Sequence, residues 1–282
     1  MSVPVDVLQN ALMGLRPLAK LAQRYHSTGL NADPDMVSRV FNLYSRFASM
    51  SGKDVLEIGP GHTLEVLEKA KAAGAKSCTA IDVIDYLSGE QAREKQIAYV
   101  VYDGRIMPLA AESIDLICSY TALEHVRYPS MTIQECFRIL RPGGRLVSVI
   151  DLGDHSWYGE NTSCPDRAFH CLRYPEWLWN LMRWNRSSYV NRLRQSDWIR
   201  LLTETGFTVR AHEATVSADT VRLFSQLHYL HKYQYDDAVT CVLTVCMEKP
   251  ALMRNSTEGY VVMAPSEAED TCRAYLPITP EV

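Results

Sequence analysis

Apolar residues fall along this chain in two rhythms. From position 4 to about 25, Leu8, Leu12, Leu15, Leu18 and Ala22 recur at helical spacing, and Pro17 within the pattern predicts a kink or two shorter helices. Asn31-Ala-Asp-Pro-Asp reads as a turn, with Asp35 capping a second helix to about Ala48. Short apolar runs and amphipathic stretches then alternate. The runs at 54–58, 78–81, 97–102, 115–119 and 145–150 read as strands, and 63–73 and 130–140 as helices stopped by Gly74 and by Pro142-Gly143-Gly144. Near-continuous apolar strands alternating with helices predict a parallel sheet covered on both faces. Beyond an irregular stretch, 196–205 and 219–231 read as helices, and 207–211 and 239–247 as strands.

That irregular stretch, 151–195, holds Trp157, Trp177, Trp179 and Trp184, four of the five tryptophans. An aromatic insertion after a sheet strand predicts a lid or substrate wall, or a satellite core beneath a loop. After Pro250 the pattern loses its period, so 251–282 is expected to be a surface tail. The expected division is a helical cap over 1–50, a main domain over 51–250 and the tail.

The stretch Val55-Leu-Glu-Ile-Gly-Pro-Gly-His-Thr63 carries the first chemistry. Glycines between a strand and a helix let backbone amides approach a ligand. A dinucleotide loop would add a third glycine where Leu64 stands, and Glu57 would repel a pyrophosphate. A carboxylate there suits an ammonium or a sulfonium, which favours S-adenosylmethionine over NAD. Asp82 ends the second strand at the distance from Gly61 expected of a ribose-binding acid, and Asp103 ends the third, where it can meet an adenine amino group.

Taken in order, VLEIGPG, AIDVID, YDGRIMPLAAESIDLICS, ALEHV and CFRILRPGGRL resemble the class I S-adenosylmethionine-dependent methyltransferases, nearest the type 11 or ubiquinone/menaquinone-methyltransferase-like group. The resemblance spans about Lys53 to Leu152. It implies a Rossmann-like three-layer sandwich with a seven-stranded, mostly parallel sheet whose last strand is antiparallel. It also implies S-adenosylmethionine as cofactor and S-adenosylhomocysteine as product. Glu57, Gly59 and Gly61 would surround the methionine part, Asp82 and Val83 the ribose, Asp103 and Gly104 the adenine. Ser119 and Tyr120 would face the sulfonium, and His125 the cofactor and substrate opening. Glu57 stands where many relatives have Asp.

A hydroxyl acceptor needs a base. His155, beside Asp154 and just past the fifth strand, is placed for that role, with His125 second. Trp157, Tyr158, Arg192 and Arg194 are candidate substrate contacts, the arginines for a carboxylate or phosphate. The Asn191-Arg-Leu-Arg194 run also resembles type 11 enzymes of sugar or natural-product pathways. Net charge is −4, and no basic face suggests nucleic acid as partner. No apolar run is long enough to span a membrane. The expectation is a cytoplasmic enzyme with reduced cysteines acting on a small molecule. A homodimer stays open, and no metal site is expected. Nitrogen or carbon acceptors, an NAD-dependent oxidoreductase and a non-catalytic cofactor-binding subunit are the competing readings.

Overall fold

The computed structural model describes residues 3–15, 18, 34–87, 89–154, 168–251, 253–254 and 260–261. Seven strands form one sheet: β1 (Asp54–Ile58), β2 (Ser77–Asp82), β3 (Ala98–Val101), β4 (Ile114–Tyr120), β5 (Leu140–Asp151), β6 (Thr208–Val216) and β7 (Thr240–Glu248). Their order is β3-β2-β1-β4-β5-β7-β6. Neighbours pair in parallel except β7, which runs antiparallel to both β5 and β6. The expected mostly parallel sheet with an antiparallel last strand is therefore present.

The helices are α1 (Val3–Met13), α2 (Pro34–Phe47), α3 (Glu65–Ala72), α4 (Gly89–Glu94), α5 (Pro129–Ile139), α6 (Glu176–Arg183), α7 (Gln195–Thr205), α8 (Ala218–Gln226) and α9 (Tyr235–Val239). Alternation along the strands sends side chains to opposite layers. Leu56, Ile58, Ile117 and Leu146 pack with Ile133 and Cys136 of α5 and Trp198 and Leu202 of α7. Val55, Cys118 and Val147 pack with Val37, Val40 and Tyr44 of α2 and Leu67 of α3. Each fully buried aliphatic side chain stabilises the sandwich by roughly 1.5–3 kcal/mol.

One expectation changes. Asp35 lies inside the first turn of α2, which begins at Pro34, rather than capping it. The first helix ends at Met13, and Pro17 falls outside the described residues. Within the aromatic stretch, residues 168–190 build a third core: Phe169, Leu172, Trp179 and Tyr189 pack on Leu223 of α8 and on Leu230. The strand order reverses between β2-β1 and β4-β5, which puts the switch point of the sheet, where open α/β sheets bind ligands in a crevice, at the carboxyl ends of β1 and β4.

Candidate active site

The loop after β1 turns through Gly59 and Gly61, with φ of +71° and +65°. The Gly59 amide donates to the Ile81 carbonyl at 2.9 Å. A Cβ at Gly59 would collide with the methyl of Ala122, so the loops after β1 and β4 touch directly. Leu64, where a dinucleotide loop would have its third glycine, is buried at the start of α3 and belongs to the core.

Glu57 sits in register with Ala80 and Cys118 on the two flanking strands. Only 4% of it is exposed, and its Oε2 has no hydrogen-bond partner among the described residues. Burial pushes this carboxyl up to about 8. The hydroxyl of Tyr44, on α2, is likewise buried and unpartnered; burial and then the charge of Glu57 raise its pKa.

Asp82 accepts the Ile84 amide at 3.0 Å, and burial lifts its pKa to about 6. Asp103 Oδ1 accepts the amides of Arg105 at 2.9 Å and Ile106 at 3.4 Å, closing its own loop. Next to it Gly104 has φ +79°, and a Cβ there would stand 3.3 Å from Cγ1 of the exposed Val83. The loops after β2 and β3 thus meet at Val83 and Gly104.

On the other side of the crevice, Ser119 is fully buried and its hydroxyl has no partner among the described residues. Tyr120 follows, half-buried, its pKa raised by desolvation. A single helical turn, Leu123–His125, is clamped by Asn191, whose side-chain amide donates to the carbonyls of Leu123 at 2.9 Å and Val126 at 3.3 Å. His125 Nδ1 lies 2.6 Å from the Tyr189 carbonyl and must be the donor, since the carbonyl only accepts. A neutral His125 therefore carries its lone pair on Nε2.

Glu124 was missed by the sequence reading. It is 2% exposed, and neither carboxyl oxygen has a hydrogen-bond partner among the described residues. Desolvation, then the charge of Asp151, holds its pKa well above the ordinary range. Asp151 ends β5 and accepts the Gly153 amide at 2.8 Å. The signal for Glu124 was its place between Leu123 and His125, but sequence cannot say that this turn is buried.

Asp154 is buried, its amide donating to the Ala168 carbonyl at 2.8 Å. Its Oδ2 lies 4.0 Å from Nδ1 of His170. His155, Trp157 and Tyr158 fall outside the described residues. The two arginines differ from expectation. Arg194 is 1% exposed and donates to the carbonyls of Asp237 at 2.7 Å, Leu152 at 2.5 Å and Thr240 at 2.6 Å. Arg192 donates through Nη1 to the carbonyls of Tyr174 at 2.7 Å and Cys171 at 3.2 Å, with its guanidinium carbon 5.7 Å from the Trp179 ring centre. Both tie loops together, and the guanidinium of Arg194 is buried among those three carbonyls.

A family model described as a methyltransferase domain matches residues 56–148. Over 163 residues the chain is 32% identical to a ubiquinone biosynthesis O-methyltransferase of Coxiella burnetii, a match covering 56% of this chain and 68% of the relative. The chain belongs to the class I S-adenosylmethionine-dependent methyltransferases. It is also 36% identical over 96 residues to a malonyl-[acyl-carrier protein] O-methyltransferase of Methylococcus capsulatus. That match covers 33% of this chain and only 34% of the relative. Among solved structures, phosphoethanolamine N-methyltransferase 2 of Haemonchus contortus, in complex with S-adenosyl-L-methionine, superposes with a TM-score of 0.51 at 15% identity. It covers 76% of this chain and 52% of its own. The cyclase SpnF superposes with the same TM-score, 0.51, at 16% identity, over 80% and 87% of the two chains. Fold similarity at this level does not fix a reaction.

The methyltransferase cofactor fits the residues present. Glu57 is an orphaned, buried carboxyl beside the glycine turn, suited to a cationic amino-acid portion. Asp82 at the end of β2 suits a pair of ribose hydroxyls. Leu64, buried in the core, stands where a dinucleotide-binding loop would have its third glycine. Among the described residues, no helix is long and apolar enough to cross a membrane.

Proposed function

We propose that this methyltransferase methylates a hydroxyl group of a small-molecule acceptor. When bound, S-adenosylmethionine supplies a methyl carbon already activated by its sulfonium. The protein must align the acceptor oxygen with that carbon and take its proton. Holding the reactants in line supplies several kcal/mol of the barrier reduction.

The observation that carries the reading is the orientation of His125. Its Nδ1–H is fixed on the Tyr189 carbonyl, which leaves Nε2 as the basic nitrogen. Its turn begins at Ala122, in contact with Gly59, so the base stands next to the cofactor loop. Asn191 holds that turn from the far side. As the oxygen attacks, the hydroxyl proton passes to Nε2 and the ring becomes an imidazolium. His155, with Asp154 before it, is the second base of the proposal. The O-methyltransferase relatives support oxygen as acceptor. The narrower expectation of a sugar or natural-product pathway rests on the resemblance of the Asn191–Arg194 run alone.

Calorimetric titration with S-adenosylmethionine, S-adenosylhomocysteine and NAD, followed by turnover on a panel of phenols and alcohols, tests the reading. Binding of the first two ligands alone and methylation of at least one hydroxyl are expected. His125→Ala should lower kcat by about 100-fold or more with cofactor affinity unchanged. If only His155→Ala does so, the base is His155. Methylation of amines alone, or turnover indifferent to both substitutions, would overturn the assignment.

A further inference from the structure

Helix α1 is inside out. Its buried residues are Asp6 and Asn10, whereas its exposed side chains, Pro4, Val5, Leu8, Ala11, Leu12 and, just beyond the helix, Leu15, are all apolar. The polar side is fully engaged by the segment around α6. Asp6 pairs with Arg186 at 2.9 Å and Arg183 at 3.2 Å. Asn10 donates to the Leu181 carbonyl at 2.9 Å and accepts the Asn185 amide at 2.7 Å. The apolar side is bare: Leu8 is 61% exposed and Leu15 55%.

The bare residues have a particular spacing. Val5, Leu8, Leu12 and Leu15 follow one another at intervals of three, four and three, the a and d positions of a heptad seam. Asp6 and Asn10 then occupy b and f, the outer side of a coiled coil, which here is taken up by α6. Next to α1, Leu181 and, one turn earlier, Trp177 at 68% exposure add to the apolar surface. Together these side chains expose roughly 600 Å² of apolar area per chain, at the upper end of what a monomer ordinarily leaves in one patch and at the low end of one side of a standard interface.

Charge decides between partners. Asp6 is the only ionisable side chain between Val3 and Leu15, and it is buried. Helices that lie on anionic lipid carry lysines and arginines beside their apolar face, and this one has none in that stretch. A neutral, uniformly apolar face instead meets its own copy across a two-fold axis without like-charge repulsion. Because Asp6 and Asn10 already hold α1 as a helix, pairing costs no helix formation.

We propose that α1 is a homodimer interface, pairing with α1 of a second copy of this chain through Val5, Leu8, Leu12 and Leu15. The inference is independent of the acceptor chemistry. Sedimentation of the full chain from about 1 to about 100 µM should show a monomer–dimer equilibrium. Leu8→Glu with Leu12→Glu should weaken it at least 100-fold, by analogy with central interface anchors. The same variant should bind S-adenosylmethionine with unchanged affinity and keep its circular dichroism, which separates lost pairing from lost folding. Mixing those copies with Leu8→Lys, Leu12→Lys copies should restore a dimer, which only a self-interface can do. A wild type that stays monomeric throughout the range, including one that co-floats with phosphatidylcholine vesicles as a monomer, overturns the proposal. So does a double-glutamate variant that dimerises like the wild type.

Discussion

Gly59 and Ala122 meet across the crevice with no space between them for a methyl group. One belongs to the loop after β1 and the other to the loop after β4, so this contact sets the distance between the cofactor turn and the turn carrying His125. Gly59 also sits at φ +71°, where a side chain adds backbone strain.

Gly59→Ala should therefore separate the two loops. Expected losses are about 1–3 kcal/mol in stability and at least about tenfold in cofactor affinity, read by urea denaturation and calorimetry. An alanine variant that binds S-adenosylmethionine as tightly as the wild type would mean that this contact does not shape the site.

Glu57 makes stability depend on pH. Below about 4.5 its carboxyl is protonated in folded and unfolded chains alike. Between there and about 8 the unfolded chain ionises while the buried carboxyl stays protonated, so this contribution is present at low pH and lost as pH rises. Each unit of separation is worth about 1.4 kcal/mol, so the change amounts to several kcal/mol. Glu57→Gln should flatten the decline of the urea midpoint over that interval while weakening cofactor binding. A variant whose midpoint falls with pH as steeply as the wild type would place the titrating group elsewhere.

What sequence could show depended on distance along the chain. Strand β1, all five of its residues buried, is visible as an apolar run because both its faces are covered. Asp82 was placed by spacing because a βαβ unit is local and its length hardly varies. The leucines of α1 gave a helix, yet not the direction of its apolar face. That direction depends on Arg183, Arg186 and Asn185, far along the chain. Arg194 looked like an anion clamp by residue type alone, and only the folded chain brings three carbonyls to it. Glu124 was marked only by its place between Leu123 and His125, and a carboxylate in a short turn reads as exposed until the folded chain buries it.

Asn191 should act on turnover rather than on cofactor binding. Among the described residues its side chain hydrogen-bonds to the carbonyls of Leu123 and Val126 and accepts the amide of Leu193. Asn191→Ala frees the turn that aims His125, at a cost of about 1 kcal/mol in stability. Expected is a fall in kcat of about tenfold with cofactor affinity within twofold, measured by steady-state kinetics and calorimetry. Loss of affinity with kcat intact would show that the turn serves the cofactor instead.

Arg194 provides the sharpest separation between a structural and a substrate role. Its guanidinium satisfies three buried carbonyls, from Leu152 after β5, Asp237 in α9 and Thr240 at the start of β7. Arg194→Met keeps much of the volume but leaves those acceptors unpaired, which should cost about 3–5 kcal/mol of unfolding free energy. Lysine restores the charge without the planar fork and should recover only a small part. The protein that remains folded should keep its KM for the acceptor, because no donor of Arg194 reaches the crevice. If the methionine variant instead kept its stability and raised KM for an anionic acceptor, the guanidinium would be a substrate clamp after all.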